Sequence, residues 1–544
     1  MPVPVLAPIR LARGRRGAVV APHHLATAAG LEVLAAGGHA VDAAIATNAA
    51  LAVVNPNACG VGGDAFWLIW DQGARRQHGL NGSGRSAAAA DAEALRSSGL
   101  SAMPARGPLT VTVPGAVRSW GDAHERFGRL PRDRVLGPAI ELARGGFPAW
   151  DWFIASVESM VGTADEAFLS IFRPNGRAWR PGEIVRNPAL ASTLERLARE
   201  GFGAFYEGEL AARQARALEA AGSPIRLEDF ARHRSAWTEP ISTTYRDVRV
   251  TTHRPNSSGA IALELLNVLE RFEPPGPDGD LDARWLHVGI EASKLVMADR
   301  DAHLTDEEFH DIPLERLLDK THARDLAARI DESRASPAPA ARNPSGGGTI
   351  YLATVDAEGN AVSLIESHWS GFGSGVADAA TGVHYQNRGS YFSLDPRHPN
   401  VLAPAKRTLH TLLPAMLFRV EAEEPWVILG SRGGDAQVQI LPQIVSSLVD
   451  RRLDVLSAVV APRWYVEPEE RFAPPVEVRL ESRFPSRVVD RLREMGHPVT
   501  EIEAFSRLIG PCHAIELVDG GPSRMDGSLA AVTDPRSAGL PAVR

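Results

Sequence analysis

Thr349 follows three consecutive glycines and opens an apolar segment, TIYLATV, that is typical of a buried strand. Glycines let the backbone adopt left-handed conformations and let other groups approach closely. If the Gly348–Thr349 bond were cut, the Thr349 hydroxyl would be a nucleophile at a new N-terminus. Its own α-amino group could then act as general base, because such a group has a reference pKa of about 7.7–8.0. The alternative is an ordinary glycine linker in front of a strand.

The pattern of the chain changes at this junction. Before it, apolar residues at helical spacing predict helices over residues 25–36, 41–53, 261–270, 284–300 and 314–332. Residues 333–348 are rich in Pro, Ala and Gly, which predicts an exposed, flexible linker. After it, TIYLATVDAEGNAVSLIES predicts two core strands joined by a turn, and PWVILG and HAIELV predict further buried strands. A flexible linker therefore runs directly into a core hairpin, with Thr349 at the start of its first strand.

Composition excludes several classes of protein. The 544 residues include 66 acidic and 58 basic ones, and the net charge of -8 argues against a nucleic-acid binder. Two cysteines, Cys59 and Cys512, cannot form a disulfide framework or a four-cysteine zinc site. No apolar run is long enough for a membrane span, and the first residues lack the charge order of a secretory signal. We therefore expect a soluble cytoplasmic protein without membrane or nucleic-acid partners.

One segment could bind a metal ion. ADRDAHLTDEEFHD, residues 298–311, holds two histidines and several acidic residues. Such a mixture is also typical of a solvated helix end, and we adopt that interpretation. We expect neither a metal nor a cofactor.

Several sequence blocks, in order, resemble the γ-glutamyltranspeptidase family of N-terminal nucleophile hydrolases. They include APHHLATAAGLEVLAAGGHAVDAAIA, VPGAVRSW, PNSSGAIALELLNVLE, EASKLVMADR, TIYLATVDAEGNAVSLIES, LAPAKRTLHTLLPAM, GSRGGDAQ and DPRS. The resemblance implies an α+β fold, a four-layer αββα sandwich, with a helix-rich first part. It also implies a precursor that cleaves itself between Gly348 and Thr349. The products would be a large subunit, 1–348, and a small subunit, 349–544.

The resemblance assigns catalytic roles one position at a time. Thr349 matches the nucleophile, and Ser367 matches a threonine that hydrogen-bonds the nucleophile's hydroxyl. Gly433 and Gly434, in GSRGGD, match the pair whose backbone N–H groups form the oxyanion hole. An alternative for these glycines is a strand-to-helix turn after PWVILG.

The substrate-binding positions depart from the family pattern. Arg85 is shifted along the sequence from the family's carboxylate-binding arginine. Arg388 and Tyr391 stand where the family has a glutamine and an aspartate that hold the substrate's amino group. His410 and Thr411 replace paired serines, and SLDPRHPNVLAPAKR is too short for a lid loop. A cationic arginine cannot accept hydrogen bonds from an ammonium but suits a carboxylate.

These departures resemble the acylases and oxamate amidohydrolases of the family. We expect an autoprocessing amidohydrolase that cleaves a small acid amide, such as oxamate, through a threonyl acyl-enzyme. Hydrolysis is favoured over transfer because no lid excludes water. Two alternatives stay open, a γ-glutamyltransferase or glutathione hydrolase and a non-catalytic binding protein. A salt bridge to Asp378 or Asp395 is the alternative role for Arg388. The expected partners are the amide substrate and the two processed subunits, which could form a homo-oligomer of heterodimers.

Overall fold

The core of the protein is a pair of facing antiparallel sheets. The computed structural model describes residues 10–276, 281–336, 348–470 and 473–544, and strands and helices are numbered along the chain. The first sheet has the order β21 (Ala542–Val543), β2 (Ala18–Val20), β10 (Gly348–Val355), β11 (Ala361–Trp369), β3 (Asp64–Asp71), β4 (Arg76–Gly82) and β7 (Ala236–Thr238). The second has the order β1 (Leu11–Gly14), β20 (Ser528–Thr533), β19 (Cys512–Val518), β15 (Val427–Ser431), β14 (Ala415–Arg419), β9 (Val248–Thr252) and β8 (Ile241–Tyr245).

Three smaller sheets lie outside this pair. They are formed by β5 (Phe147–Pro148) with β6 (Ile184–Val185), by β12 (Ala377–Asp378) with β13 (Val383–His384), and by β16 (Trp464–Glu470), β17 (Ala473–Glu481) and β18 (Val499–Ile502).

Helices cover the outer face of each large sheet. The helices of the first part are α1 (His24–Ala35), α2 (Ala40–Val54), α3 (Ala92–Ser97), α4 (Ala116–Phe127), α5 (Arg132–Gly145), α6 (Asp151–Glu158), α7 (Glu166–Phe172), α8 (Pro188–Glu200), α9 (Gly208–Ala220) and α10 (Leu227–Arg232). The later ones are α11 (Gly259–Leu269), α12 (Ala283–His303), α13 (Leu314–Leu318), α14 (Lys320–Ala327), α15 (Gln437–Val449), α16 (Val455–Val460) and α17 (Ser486–Glu494).

Three apolar clusters define four layers. One joins α2, α4, α5 and α8 to the first sheet, and another joins α11, α12, α15 and α16 to the second. The third lies between the sheets, where Tyr351 and Ile365 of the first face Met416 and Ile428 of the second. Because β10 and β11 are covered on both faces, every residue of both strands is buried. The predicted α+β sandwich with αββα layers is therefore confirmed.

The predicted elements agree with the structure at most positions. Helices α1, α2, α11 and α12 and the β10–β11 hairpin lie where the sequence predicts them. Gly37, with a φ of 89°, forms the break between α1 and α2. Residues 314–332 were predicted as one helix but form two, α13 and α14, because Asp319 adopts an extended conformation and caps α14. Most of the predicted linker lies outside the described residues.

Within the described part of the chain, no helix combines the length and apolar character that a membrane span requires.

Candidate active site

Thr349 and Ser367 face each other across the central hairpin. They are register partners of the antiparallel strands β10 and β11, and both are 1% exposed. The Thr349 Oγ1 lies 2.9 Å from the Ser367 Oγ. The Ser367 hydroxyl also donates to the carbonyl oxygen of Gly348, at 2.7 Å. A single serine hydroxyl thus contacts both the predicted nucleophile and the carbonyl of the predicted cleavage site.

The backbone around this pair is irregular. The register shifts between Gly348 and Thr349, as in a β-bulge. Trp369, opposite Gly348, has a φ of 75°, and its N–H donates to the Ser367 Oγ at 2.7 Å. A Cβ on Gly348 would lie 2.3 Å from the Ser370 carbonyl oxygen, so only glycine fits at this position. Left-handed conformations in residues other than glycine cost free energy and concentrate at functional sites.

Arg388 brings a buried positive charge to the pair. Its Nη2 donates to the Ser367 Oγ at 3.2 Å, and its Nη1 donates to the Thr411 Oγ1 at 3.3 Å. The guanidinium lies 4.7 Å from the centre of the Trp369 ring, a cation–π contact. Burial lowers the pKa of Arg388 to about 10, so it remains charged at neutral pH.

Arg388 has unused binding capacity. Among the described residues, its Nε has no hydrogen-bond partner and no carboxylate lies within ion-pair distance of the guanidinium. Asp378 and Asp395, the alternative salt-bridge partners considered for Arg388, have other contacts. Asp378 accepts a hydrogen bond from Thr381, and Asp395 pairs with Arg397. Buried charges are normally paired. The buried cation is therefore left without an anionic partner among the described residues.

Tyr391 connects Arg388 to the Gly433–Gly434 turn. Its ring lies 5.7 Å from the Arg388 guanidinium, and its hydroxyl donates to Asp435, the residue after Gly434. Asp435 also accepts from the buried Arg300. Burial of the hydroxyl beside Asp435 raises the pKa of Tyr391. Tyr391 is therefore a neutral donor that ties the arginine to the turn.

Gly433 and Gly434 lie at the same end of the sandwich as Thr349. The Tyr351 ring fills the space where a Cβ on Gly430 of β15 would lie, at 2.3 Å. Thr349 is two residues before Tyr351, so its side chain points to the same face of β10. The two glycines follow the end of β15 with φ angles of 141° and 55°, and a short 3-10 turn leads on to α15. They do form the alternative strand-to-helix turn, which leaves an oxyanion role open.

Asp64 is a site residue that the sequence did not reveal. It is the register partner of Ser367 on β3, and its Oδ1 accepts from the N–H groups of Gly84 and Gly115. Its Oδ2 lies 3.3 Å from the His410 Nε2. Burial raises the pKa of Asp64 to about 7, an effect that the Arg388 charge opposes. Its only sequence signal is its position after the glycine-rich loop GVGG.

His410 is connected to the cluster by its contact with Asp64 rather than by a direct contact with Thr349 or Ser367. Burial lowers its pKa well below the usual range, so the ring is neutral. Its Nδ1 has no partner among the described residues. The next residue, Thr411, contacts Arg388, so the predicted His410–Thr411 pair does lie beside the cluster.

Arg85 makes its contacts elsewhere. Its guanidinium pairs with Asp306 and Glu308 and donates to the carbonyl oxygen of Ala405. Two carboxylates already neutralise its charge, and none of these contacts joins the Thr349 cluster. A substrate role for Arg85 stays a prediction that the observed contacts do not favour.

A cavity of about 220 Å³ adjoins the cluster on the Tyr391 side. Its lining includes Tyr391, Arg300, Asp301, Ser390 and Asn400. The wall is mixed in polarity and bears charged groups, which suits a small polar ligand.

Comparisons with known proteins agree with this arrangement. The family model described as gamma-glutamyltranspeptidase matches residues 26–543. The chain is 39% identical to the glutathione hydrolase-like YwrD proenzyme of Bacillus subtilis, covering 97% of this chain and 98% of that protein. It is 36% identical to the oxamate amidohydrolase proenzyme of Klebsiella pneumoniae, with the same coverage of 97% and 98%. The cephalosporin acylase structure from Bacillus halodurans superposes with a TM-score of 0.91 at 35% identity, covering 100% of this chain and 98% of that one.

A threonine at the head of a central strand in an αββα sandwich is the arrangement of an N-terminal nucleophile hydrolase. Within that class, the chain belongs to the γ-glutamyltranspeptidase family. The family predicted from the sequence is thereby confirmed.

Proposed function

We propose that the protein is an autoprocessing amidohydrolase in which Thr349 is first the agent of self-cleavage and then the catalytic nucleophile. The observation that carries this proposal is the contact of the Ser367 hydroxyl with both the Thr349 Oγ1 and the Gly348 carbonyl oxygen. The subunits would be residues 1–348 and 349–544. Proenzyme relatives support this division.

The geometry of the uncut chain supports self-cleavage. The Thr349 hydroxyl attacks the Gly348 carbonyl carbon, and the carbonyl oxygen gains negative charge. The Ser367 hydroxyl donates to that oxygen, so it stabilises the charge as it develops. The hydroxyl proton is transferred to the Thr349 nitrogen as the Gly348–Thr349 C–N bond breaks, which leaves an ester between the Gly348 acyl group and the Thr349 oxygen. Water hydrolyses this ester, which frees the Gly348 carboxylate and the Thr349 amine.

The freed amine makes Thr349 a catalyst for other amides. It accepts the hydroxyl proton as the oxygen attacks the substrate carbonyl, and it returns the proton to the departing amine. The backbone N–H groups of Gly433 and Gly434 would stabilise the oxyanion, with Ser367 holding the nucleophile. Water then hydrolyses the acyl-enzyme. The roles of all four residues are part of the proposal.

Arg388 supports an acid amide as the substrate. Its guanidinium is two hydrogen bonds from the nucleophile and has no carboxylate partner among the described residues. A substrate whose carboxylate is bonded directly to the amide carbonyl would reach both groups at once. Oxamate has this structure, and one relative is named for its hydrolysis. Tyr391 and Thr411 would position the guanidinium, with His410 behind them.

Two further parts of the proposal concern the environment of the enzyme. A cytoplasmic location is supported by Cys59 and Cys512, both buried and unpaired. The processed halves would be each other's partners, because β10 and β11 lie between β2 and β3 of the other half. An oligomer of such heterodimers stays open.

Intact mass and N-terminal sequencing of the purified protein test the proposal. We expect two chains, the smaller beginning Thr-Ile-Tyr-Leu, and hydrolysis of oxamate. Thr349→Ala should stay uncleaved and inactive, whereas Thr349→Ser should retain part of both functions because it keeps a hydroxyl.

Three outcomes would change this conclusion. An active, uncleaved Thr349→Ala protein would exclude the mechanism. A cleaved enzyme that acts on γ-glutamyl anilide and ignores oxamate would favour the glutathione hydrolase alternative. A single chain without activity on either would favour the binding protein.

A further inference from the structure

Three helices of the second helical layer bring two carboxylates and an imidazole together. Glu264 lies on α11, Asp299 on α12 and His322 on α14, and their ligand atoms lie within 4.8 Å of one another. The His322 Nε2 is 2.9 Å from the Asp299 Oδ2 and 3.1 Å from the Glu264 Oε1. The cluster makes none of the contacts described for the Thr349 site.

The cluster is not satisfied by its own hydrogen bonds. Glu264 is fully buried, and its Oε2 has no hydrogen-bond partner among the described residues. The single Nε2–H of His322 is shared between two carboxylates. A buried carboxylate that lacks partners is costly unless it binds a proton or a cation.

The spacing of the donor atoms suits a metal ion. Donors bound at about 2.1 Å to one ion lie roughly 3.0–3.5 Å apart in octahedral or tetrahedral shells. The two measured N···O separations are close to that range. The Asp299 and His322 side chains are 20% and 15% exposed, so one side of the cluster is open to an entering ion and to water ligands.

A second cluster in the same layer provides a contrast. His287, Glu291 and His497 also converge, but the Lys294 ammonium already lies 2.5 Å from a Glu291 oxygen. The two imidazoles hydrogen-bond each other directly at 2.7 Å. An internal cation and a shared proton thus satisfy Glu291 and the two facing imidazole nitrogens, while the His497 Nδ1, 4.0 Å from Glu291, has no hydrogen-bond partner among the described residues. The Glu264 cluster contains no lysine or arginine: its own positive charge is that of the His322 ring when protonated, and Arg316 acts on Asp299 from outside the triad and bonds His303.

We propose that Glu264, Asp299 and His322 form a divalent transition-metal site, with one imidazole and two carboxylates as protein ligands and water in the remaining positions. The donor set fits Zn²⁺ or Mn²⁺ better than a thiolate-seeking ion. The ion would clip α14 to α11 and α12 and stabilise the folded protein through binding. This site differs from the sequence-based expectation that Asp299 belongs only to a solvated helix end.

Metal titration of the full-length protein tests the site. Protein stripped with a chelator is dialysed against Zn²⁺ or Mn²⁺, and bound metal is measured by elemental mass spectrometry and calorimetry. We expect one ion per chain and a rise in melting temperature with Zn²⁺ or Mn²⁺. Ca²⁺, which prefers more oxygen ligands, should bind more weakly.

Two variants locate the ion. Asp299→Asn and His322→Gln should each weaken binding by more than about 100-fold, since second-shell changes alone cost about 10–100-fold. His24→Gln, at an exposed histidine far along the chain, should bind as the unmodified protein does. Absence of stoichiometric metal in the unmodified protein would overturn the proposal whether or not the variants fold. Unchanged binding in folded variants would do the same.

Discussion

Arg388 sets the chemical character of the site. Its charge contacts two hydroxyl oxygens and an aromatic face but no carboxylate among the described residues. Hydrogen bonds to charged groups contribute about 1.5–3 kcal/mol each. The proposed substrate role of Arg388 therefore predicts a preference for an anionic ligand.

Changing Arg388 should affect anionic and neutral substrates differently. Arg388→Met should lower kcat/KM for oxamate by roughly 10–100-fold, because one charged interaction of about 1.5–3 kcal/mol is lost. The neutral analogue oxamide, which lacks the carboxylate, should lose far less. Rates are compared per cleaved chain, with Arg388→Lys as the charge-retaining control. Equal losses for both substrates would mean that Arg388 acts only through packing.

Asp64 should make stability depend on pH. Its folded pKa of about 7 lies above its unfolded value near 3.9. Its contribution to the free energy of unfolding is thus complete below about pH 4 and is lost as pH rises to about 7, by up to about 1.4 kcal/mol per unit. Asp64→Asn should remove this slope. Urea unfolding at pH 5, 6 and 7, in the uncleaved Thr349→Ala background, measures it, and parallel curves for the two proteins would contradict the assignment.

At the scale of elements, local sequence patterns predicted individual helices and strands well, but they did not predict which strands pair over long distances in the sequence. The β10–β11 hairpin, α1 and α2 follow from apolar spacing and turn residues. The sheet order brings Asp64 beside Ser367 although they are far apart in the sequence. No local signal records such a pairing, nor the ion pairs that hold Arg85 away from the cluster. The cluster of Thr349, Ser367 and Arg388 was therefore predictable from motifs, whereas the positions of Asp64 and Arg85 were not.

The end of the helix-rich part is tethered to α12. Glu291 accepts from the Ser336 N–H at 3.1 Å, and the Lys294 Nζ donates to Glu291 and to the Ser336 carbonyl oxygen. Both charged side chains are buried. This tether fixes the chain at Ser336, before the predicted cleavage site.

Glu291 and Lys294 should be energetically coupled, so replacing both should lower the free energy of unfolding by less than the sum of the two single replacements. Glu291→Gln or Lys294→Met alone leaves a buried charge and should destabilise by about 3–5 kcal/mol, whereas the double variant should lose less than the sum. Asp325→Asn, which breaks the exposed pair with Arg324, is the control and should cost at most about 1 kcal/mol. Urea unfolding of Thr349→Ala proteins gives these values. Additive single losses would show that the pair is not coupled.

At the scale of the whole molecule, buried acids and buried histidines have opposite effects on how stability changes with pH. The acids with raised pKa values include Asp64 (about 7), Glu264 (about 8) and Glu366 (about 8). The histidines with lowered pKa values include His23 (about 3), His253 (about 4), His384 (about 4), His497 (about 4) and His513 (about 3). Burial is the largest cause in every case.

These two groups should give a stability maximum near pH 6.5. Below that pH the unfolded histidines bind protons that the folded ones do not, so stability falls as pH drops toward 4. Above that pH the histidines are neutral in both states and no longer change the free energy of unfolding. Glu264 and Glu366 stay protonated only in the folded protein, so stability falls again toward pH 8. Between about pH 5 and 6 the five histidines and three acids leave a net difference of about two protons between the unfolded and folded states, and above about pH 7 Glu264 and Glu366 leave about two of the opposite sign, so the two sides should be similarly steep. Melting temperatures of metal-free Thr349→Ala protein from pH 4 to 9 check this, and a steady rise through pH 8 would show that the buried acids ionise in the folded state.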